Sequence, residues 1–368
     1  MKVEFNNLKA QWDLVKNPCL SKIKSLFDNS DFILGNSVFE FENSFSNYVG
    51  CEYSVGTSNG TDALKLATQS LGLHSESTLV IIPANTFIAT ILGVEQALPS
   101  SKFMLIDCNE YHQIDTFLLE KIVSEHRKFF HNCVIVPVHL YGYTCDMDHI
   151  KKIANIYDCA IIEDSSQAHG AKYKGKTVGT FGNASAFSLY PGKNLGAAGD
   201  AGIITTNSED TSNKLKLLRN LGADKKYHHE IKAGNHRLDT IQAIVLLEKL
   251  KFLDKWNQSR RDVVQRYENG ISNPKVKLPI TPEYCIPVHH VYPVTVDNRN
   301  NFQQFLSLNG IQNMVHYPIG IGDTPMYQHI KLPNSKSKFY NDTMVSIPIH
   351  PFLEEKQIDH IISTINKY

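Results

Sequence analysis

The chain has 368 residues, 42% of them hydrophobic, enough apolar material for one large domain with a smaller companion. Lysine plus arginine and aspartate plus glutamate both number 37, so the overall charge points to neither a nucleic-acid nor a membrane surface, and a small-molecule partner is expected. The opening "MKVEFNNLKAQWDLVK" lacks the uninterrupted apolar core of a signal peptide, and no later segment reaches the length of a membrane span, which predicts a cytoplasmic protein.

In chain order, the first informative stretch is "VGTSNGTDALKLA", where Asn59, Gly60 and Thr61 stand directly before a run carrying Leu64, Ala67 and Leu71 at helical spacing. A helix start with a glycine and a threonine hydroxyl makes a phosphate cradle, and the same residues also read as a simple N-cap. Short apolar, β-branched runs then recur at residues 78–83, 103–108, 133–142, 159–164, 184–190 and 201–206, with helical segments such as 61–71 and 147–157 between them. That alternation predicts an α/β domain with a largely parallel sheet buried on both faces. From Leu238 onward, Leu238, Ile241 and Val245 follow helical spacing, and the pattern continues for several turns without glycine or proline. A helix of this kind connects two units, so residues 1–245 are expected to form the large α/β domain and residues 246–368 a smaller α+β domain.

Seven cysteines without a CxxC pair argue against a disulfide framework or a zinc site and for reduced, mostly buried thiols. The histidine pairs in "YHHE" (residues 227–230) and at His289-His290 lack the i, i+4 spacing of a helical zinc motif, and no metal is expected.

In open α/β sheets, ligand-binding groups gather at the carboxyl ends of the strands. The run "CAIIED" ends on Asp164, with Gln167 and His169 just beyond; a carboxylate there serves equally as a cap or as a ligand. Phe87 follows the strand at 78–83, and "FSLYPGKNLGAAGDAG" sets one lysine, Lys193, among small residues. A phosphate cradle, a strand-end carboxylate, an aromatic ring and a lysine in a tight loop together suit pyridoxal 5'-phosphate. The lysine forms an imine, the aspartate keeps the pyridine nitrogen protonated, and the aromatic packs on the ring. Gly192 and the run from Gly196 to Gly199 are expected to leave room for the flat cofactor and a bulky sugar, and Lys193 to have a lowered pKa.

The motifs "NGTDAL", "EDSSQAHGA", "FSLYPGKNLGAAGDAG" and "GNHRLDTIQA" in combination resemble the DegT/DnrJ/StrS sugar aminotransferases, fold type I pyridoxal-phosphate enzymes, and the resemblance runs nearly end to end. It implies Lys193 as the Schiff-base lysine, Asp164 as the pyridinium partner and Gln167 beside the cofactor ring. Gly60, Thr61 and Ser188 would hold the phosphate, Phe87 would stack on the ring, and His169 would lie near its reacting end. Asn235 matches an asparagine that reaches the phosphate of the neighbouring subunit, which implies a homodimer with shared active sites.

The resemblance implies transamination of a dTDP- or UDP-linked keto-6-deoxyhexose with L-glutamate as amino donor, for glycan biosynthesis. "YPGKNLGAAGDAG" looks more like members acting on 3-keto sugars, with 4-keto sugars left open. A related dehydratase group replaces the lysine by histidine, and a regulatory protein of this fold would be expected to lose Lys193 or Asp164; this chain has both. After "VHYP", where relatives often read "PxHLQ", this chain reads "GIGDT".

Overall fold

In the computed structural model, which describes residues 1–333 and 335–368, seven strands form the central sheet. Their spatial order is Tyr53–Thr57, Gly202–Thr206, Ala184–Ser188, Ala160–Asp164, Asn132–Ile135, Thr78–Pro83 and Lys102–Ile106. Gly202–Thr206 runs antiparallel to both of its neighbours, and the other pairings are parallel. The expected α/β class with a mostly parallel sheet between helices is therefore what the chain adopts.

Strand parity sorts the core. Val80 and Ile82 face Leu64, Ala67, Ile91 and Leu215 of one helical layer. Leu79 and Ile81 face Leu119, Val123, Ile150 and Ile153 of the other. The helices Asn36–Val49 and Thr240–Leu250 close the far end, where Phe41, Phe45 and Leu246 pack on Phe187 and Ile203.

The long helix expected from Leu238 onward is two helices, Thr240–Leu250 and Leu253–Gly270. No glycine or proline marks the break. Tertiary packing makes it: the first helix belongs to the layer holding Val15 and Phe41, whereas Val263, Val264 and Tyr267 of the second belong to a separate core. Phe252 at the junction stacks on Trp256 with ring centroids 5.8 Å apart.

That second core surrounds an antiparallel sheet of Val276–Lys277, Tyr292–Val296 and Met344–Ile347. The helices Leu253–Gly270, Arg299–Leu308 and Glu355–Ile365 cover it through Tyr267, Phe302 and Ile361. Val3 also belongs to it. It is fully buried among these side chains, its amide donates to the Gly310 carbonyl at 2.8 Å, and its carbonyl accepts from Gln312 at 3.0 Å.

Candidate active site

The expected site residues converge at the carboxyl ends of the parallel strands. Asp164 ends its strand 4% exposed, with Oδ2 accepting from Thr90 Oγ1 at 2.8 Å and Oδ1 from the Ser166 amide at 3.1 Å. Thr86 and Thr90 share a hydroxyl contact of 2.8 Å behind it. The preceding residue, Glu163, points to the opposite face by strand parity. There it accepts from the amides of Gly179, Phe181 and Gly182 at 2.8 to 2.9 Å and meets His139 Nε2 at 3.1 Å. Burial works to raise the Glu163 pKa, but His139 and the amides outweigh it and hold the group below its ordinary value. The two adjacent carboxylates thus have separate tasks, one opening on the crevice and one pinning a loop.

The helix Gly60–Ser70 starts on Asn59, whose Oδ1 accepts from the Asp62 amide at 2.8 Å. Among the described residues, the Gly60 and Thr61 amides and the Thr61 hydroxyl have no acceptor or donor partner in the chain. They are the groups an N-terminus leaves for an anion. The glycine is required at this point: a Cβ on Gly60 would come 2.5 Å from Ser188 Cβ, so only glycine lets the first turn lie against Ser188. The Asn59 cap uses the Asp62 amide and leaves those of Gly60 and Thr61 free, so the cap does not preclude an anion at this helix start.

Lys193 follows the Ala184–Ser188 strand in a turn closed by its own amide to the Tyr190 carbonyl at 2.9 Å. Burial pushes its amine down to about 8, against the opposing pull of the Asp164 charge. The small residues around it serve the loop itself. A Cβ on Gly196 would lie 2.3 Å from the Pro191 carbonyl oxygen, whereas one on Gly192 would meet nothing closer than 3.7 Å. The expectation that Gly196 makes room for ligand is thus replaced by a packing reason, the loop folding back on its own backbone.

Phe87 is 49% exposed and packs against Tyr317, with ring centroids 5.1 Å apart. Gln167 is held at both ends: its Oε1 accepts from the Tyr141 amide at 2.6 Å, and its Nε2 donates to the Tyr317 hydroxyl at 2.9 Å. His169 is fully buried, packed against Phe187 with ring centroids 5.4 Å apart and the rings tilted by 54°, and neither ring nitrogen is hydrogen-bonded. Burial, aided by the Lys193 charge, depresses its pKa to about 3, so it is neutral. Asn235 is exposed. Its backbone bridges Asn220, and the carbonyl of the next residue, His236, accepts from the Ser58 amide at 3.0 Å.

Thr90, Tyr317 and His290, given no part in the site by the sequence, are brought by the fold against Asp164, Gln167 and Asn194, the last being the residue after Lys193. The hairpin following Asn220 also brings Asp224, His228 and Glu230 within 4.8 Å of one another; all three are exposed, and Asp224 pairs with His228 at 2.6 Å.

The donor set fits a phosphorylated pyridine aldehyde: unpartnered helix-start amides for a dianion, an aromatic face, a strand-end carboxylate and a buried lysine with a lowered pKa. A crevice of this kind on an α/β sheet defines a pyridoxal-phosphate enzyme that works through a lysine imine.

The comparisons carry the assignment further. The model of the DegT/DnrJ/EryC1/StrS aminotransferase family matches residues 15–366, and the chain belongs to that family. It is 40% identical, over 92% of its length and 91% of the relative's, to the dTDP-3-amino-3,6-dideoxy-alpha-D-galactopyranose transaminase of Aneurinibacillus thermoaerophilus. It is 33% identical to the dTDP-3-amino-3,4,6-trideoxy-alpha-D-glucose transaminase of Streptomyces venezuelae, over 100% of this chain and 96% of that one. Its fold matches the crystal structure of S. venezuelae DesV in complex with a ketimine intermediate, with a TM-score of 0.93 at 34% identity, over 100% of this chain and 98% of that one. It also matches NtdA of Bacillus subtilis with bound cofactor PMP, with a TM-score of 0.87 at 28% identity, over 99% and 84% of the two chains.

Proposed function

We propose that this chain transfers the amino group of L-glutamate to the keto carbon of a dTDP-linked 3-keto-6-deoxyhexose. The observation that carries the reading is Lys193, an amine held near neutrality by burial and set against the Asp164 carboxylate.

In this reading the amides of Gly60 and Thr61, the Thr61 hydroxyl and Ser188 hold the phosphate of pyridoxal 5'-phosphate, Phe87 covers the ring, and Gln167 lies beside it. The bound cofactor supplies an electron sink for the carbon that loses its proton. Lys193 Nζ takes that proton and returns it on the other side of the exchange, which an amine titrating at about 8 does in both directions near neutral pH. Asp164, oriented by the neutral Thr90 hydroxyl and Ser166 amide, is the partner for the pyridine nitrogen. His169, neutral and buried beside the Lys193 charge, keeps water from the reacting end.

A space of about 190 Å³ opens beside Phe87, walled by Ile88, Tyr317, Pro318 and Ile319. Apolar walls favour a sugar carrying a methyl group where other hexoses carry a hydroxymethyl. The names of the two relatives above, both 3-amino sugar transaminases, favour amination at C-3 on a dTDP carrier.

The homodimer is part of this proposal. Asn235 is exposed and has no side-chain partner among the described residues, while Phe32, Ile33, Phe39, Tyr190 and Ile241 present exposed apolar surface. Phe32 and Ile33 touch the segment just after Asn235, through the Thr240 hydroxyl and a bridge to Asp239. No helix among the described residues is long and apolar enough to cross a membrane, and all seven cysteines are free. Free thiols and a nucleotide-sugar substrate suit the cytoplasm. A two-unit division is likewise proposed, on the separate core around Tyr267 and Val294, with the junction at Lys251 and Phe252 and not at 245 and 246, because Leu246 and Leu247 of the helix Thr240–Leu250 pack in the large core.

The test is NMR of the product formed from glutamate and an equal mixture of 3-keto and 4-keto dTDP-sugars. A 3-amino product is expected; a 4-amino product overturns the regiochemistry, and no amino sugar overturns the function.

A further inference from the structure

Two of the free cysteines face one another across the central sheet. Val134 pairs with Ala160 and Ile135 with Ile161 on neighbouring parallel strands, so Cys133 and Cys159, one residue before Val134 and Ala160, come next in the same register. Strand parity puts both thiols on the face that Ile135 and Ile161 occupy, and all four side chains pack in the same core layer. Neighbouring strands lie about 5 Å apart, inside the Cα separation of about 4.4–6.8 Å that a disulfide spans. In the resting chain both residues are thiols, Cys133 buried and Cys159 partly exposed.

An arginine closes this end of the sheet. Arg127 Nε donates to the Tyr157 carbonyl at 2.9 Å and Nη1 to the Phe130 carbonyl at 2.6 Å. Its Nη2 reaches the His131 and Asp158 carbonyls, both at 3.2 Å. The guanidinium therefore clasps the two segments that lead into Cys133 and Cys159. Cys159 Sγ donates to the same Tyr157 carbonyl at 3.7 Å, so thiol and guanidinium share an acceptor. We propose that Cys133 and Cys159 are a peroxide-sensitive dithiol, Cys159 being the thiol oxidised first and Cys133 the one that resolves it into a disulfide. Cys159 precedes the strand that Asp164 ends, so the pair lies at the opposite end of the sheet from the Lys193 crevice.

Cys159 has the character of the attacking thiol. Cys133 lowers it below the ordinary thiol value through a hydrogen bond, and Arg127 adds to that, against burial and the Asp158 carboxylate. Cys51, also partly exposed, faces the Ser46 and Tyr53 carbonyls instead, and burial pushes it up to about 11. The Cys159 thiolate attacks one oxygen of hydrogen peroxide; the O–O bond breaks, and the hydroxide released takes up the proton that Cys159 gave up, leaving as water. Cys133 then attacks the sulfenic sulfur: an S–S bond forms, the S–O bond breaks, and the oxygen leaves with the Cys133 proton as a second water. The two thiols together lose two electrons to the peroxide, and a dithiol reductant reverses the change.

Two measurements on the full chain test this. In the first, hydrogen peroxide is added in equimolar steps, remaining thiols are alkylated after unfolding, and peptides are read by mass spectrometry, with fragment ions that distinguish Cys133 from Cys145. A Cys133–Cys159 linked peptide should appear before any other cysteine is oxidised, and dithiothreitol should remove it. Cys133→Ala takes away the resolving sulfur and should leave a sulfenic acid at Cys159 that dimedone traps. In the second, iodoacetamide should alkylate Cys159 of the folded chain about tenfold faster than Cys51 at pH 7. A midpoint lower by at least about two units gives about a hundredfold more thiolate, and the less basic thiolate is about tenfold less nucleophilic. A disulfide joining any other pair, oxidation of Cys51 ahead of Cys159, or a sulfenic acid that persists at Cys159 in the wild-type chain overturns the proposal. So does an absence of the linked peptide at tenfold excess peroxide, or alkylation of Cys159 no faster than that of Cys51.

Discussion

Thr90 Oγ1 donates to Asp164 Oδ2 at 2.8 Å, and with the Ser166 amide on Oδ1 the carboxylate is oriented entirely by neutral groups. It is aimed without being neutralised, which is what a partner for a pyridinium nitrogen requires. Thr90→Val should lower the rate of the glutamate half-reaction about tenfold, the worth of one hydrogen bond to a charged group. Asp164→Asn should lower it much further while still binding pyridoxal phosphate, since the amide keeps the shape and loses the charge. Stopped-flow absorbance of the cofactor measures both, and wild-type rates in Asp164→Asn would reassign Asp164 to a structural cap.

Lys193 with a pKa near 8 makes cofactor capture pH-dependent. Only the neutral amine attacks an aldehyde, so the rate at which cofactor-free protein takes up pyridoxal phosphate should climb through pH 8 and level off above it. A rate that keeps climbing past pH 10 would show an ordinary, solvated lysine. Lys193→Ala should give no borohydride-trapped adduct at this position.

Buried histidines set the acid limit of the fold. Burial depresses His169 and His289 to about 3 and His112 to about 4. Above pH 6.5 these rings are neutral in both folded and unfolded chains and exert no pH dependence. As the pH falls below 6.5 the unfolded chain takes up protons that the folded one refuses, until the folded values are reached. Each ring then costs about 1.4 kcal/mol of stability per pH unit. Urea midpoints should fall steeply between pH 6.5 and 4.5, and replacing His289 by phenylalanine should make that fall shallower.

Glu163, adjacent to Asp164, should report on folding instead of chemistry. Glu163→Gln puts an amide donor among three backbone donors and should destabilise the fold by about 3 kcal/mol. Denaturant titration reads that loss, and the folded fraction should turn over at nearly the wild-type rate. A large drop in kcat with unchanged stability would contradict the separation of the two carboxylates.

Shared sites predict complementation. In a co-expressed heterodimer of Lys193→Ala and Asn235→Asp chains, one site keeps both wild-type residues and the other carries both defects. Purified heterodimers carrying two different tags should recover up to half of the wild-type activity. Activity no higher than either parent would place Asn235 in its own chain's site.

That Lys193, Asp164, Gln167 and Phe87 lie at or just beyond strand ends was legible in the sequence, because short-range patterns locate strand ends. Their supports were not. Thr90 lies 74 positions from Asp164, Tyr317 lies 150 from Gln167, and His290 lies 96 from Asn194, separations that only the folded sheet brings together. The break at Lys251 was hidden for a similar reason, since it answers to two distant cores and not to any local breaker. The two helices before the first strand, Leu8–Asn29 and Asn36–Val49, also escaped notice. The first has Pro18 inside it and buries only Gln11, Val15, Cys19 and Leu26.

Val3 belongs to the core around Tyr267 and Phe302, although more than two hundred residues of other structure separate it from them in the chain. On a ribosome that segment emerges well before the partners near Gly310 and must wait, its apolar side chain unpaired, until they have been synthesised. The second body therefore completes itself by reaching back across the first, and residues made long before it are among the last to find their place.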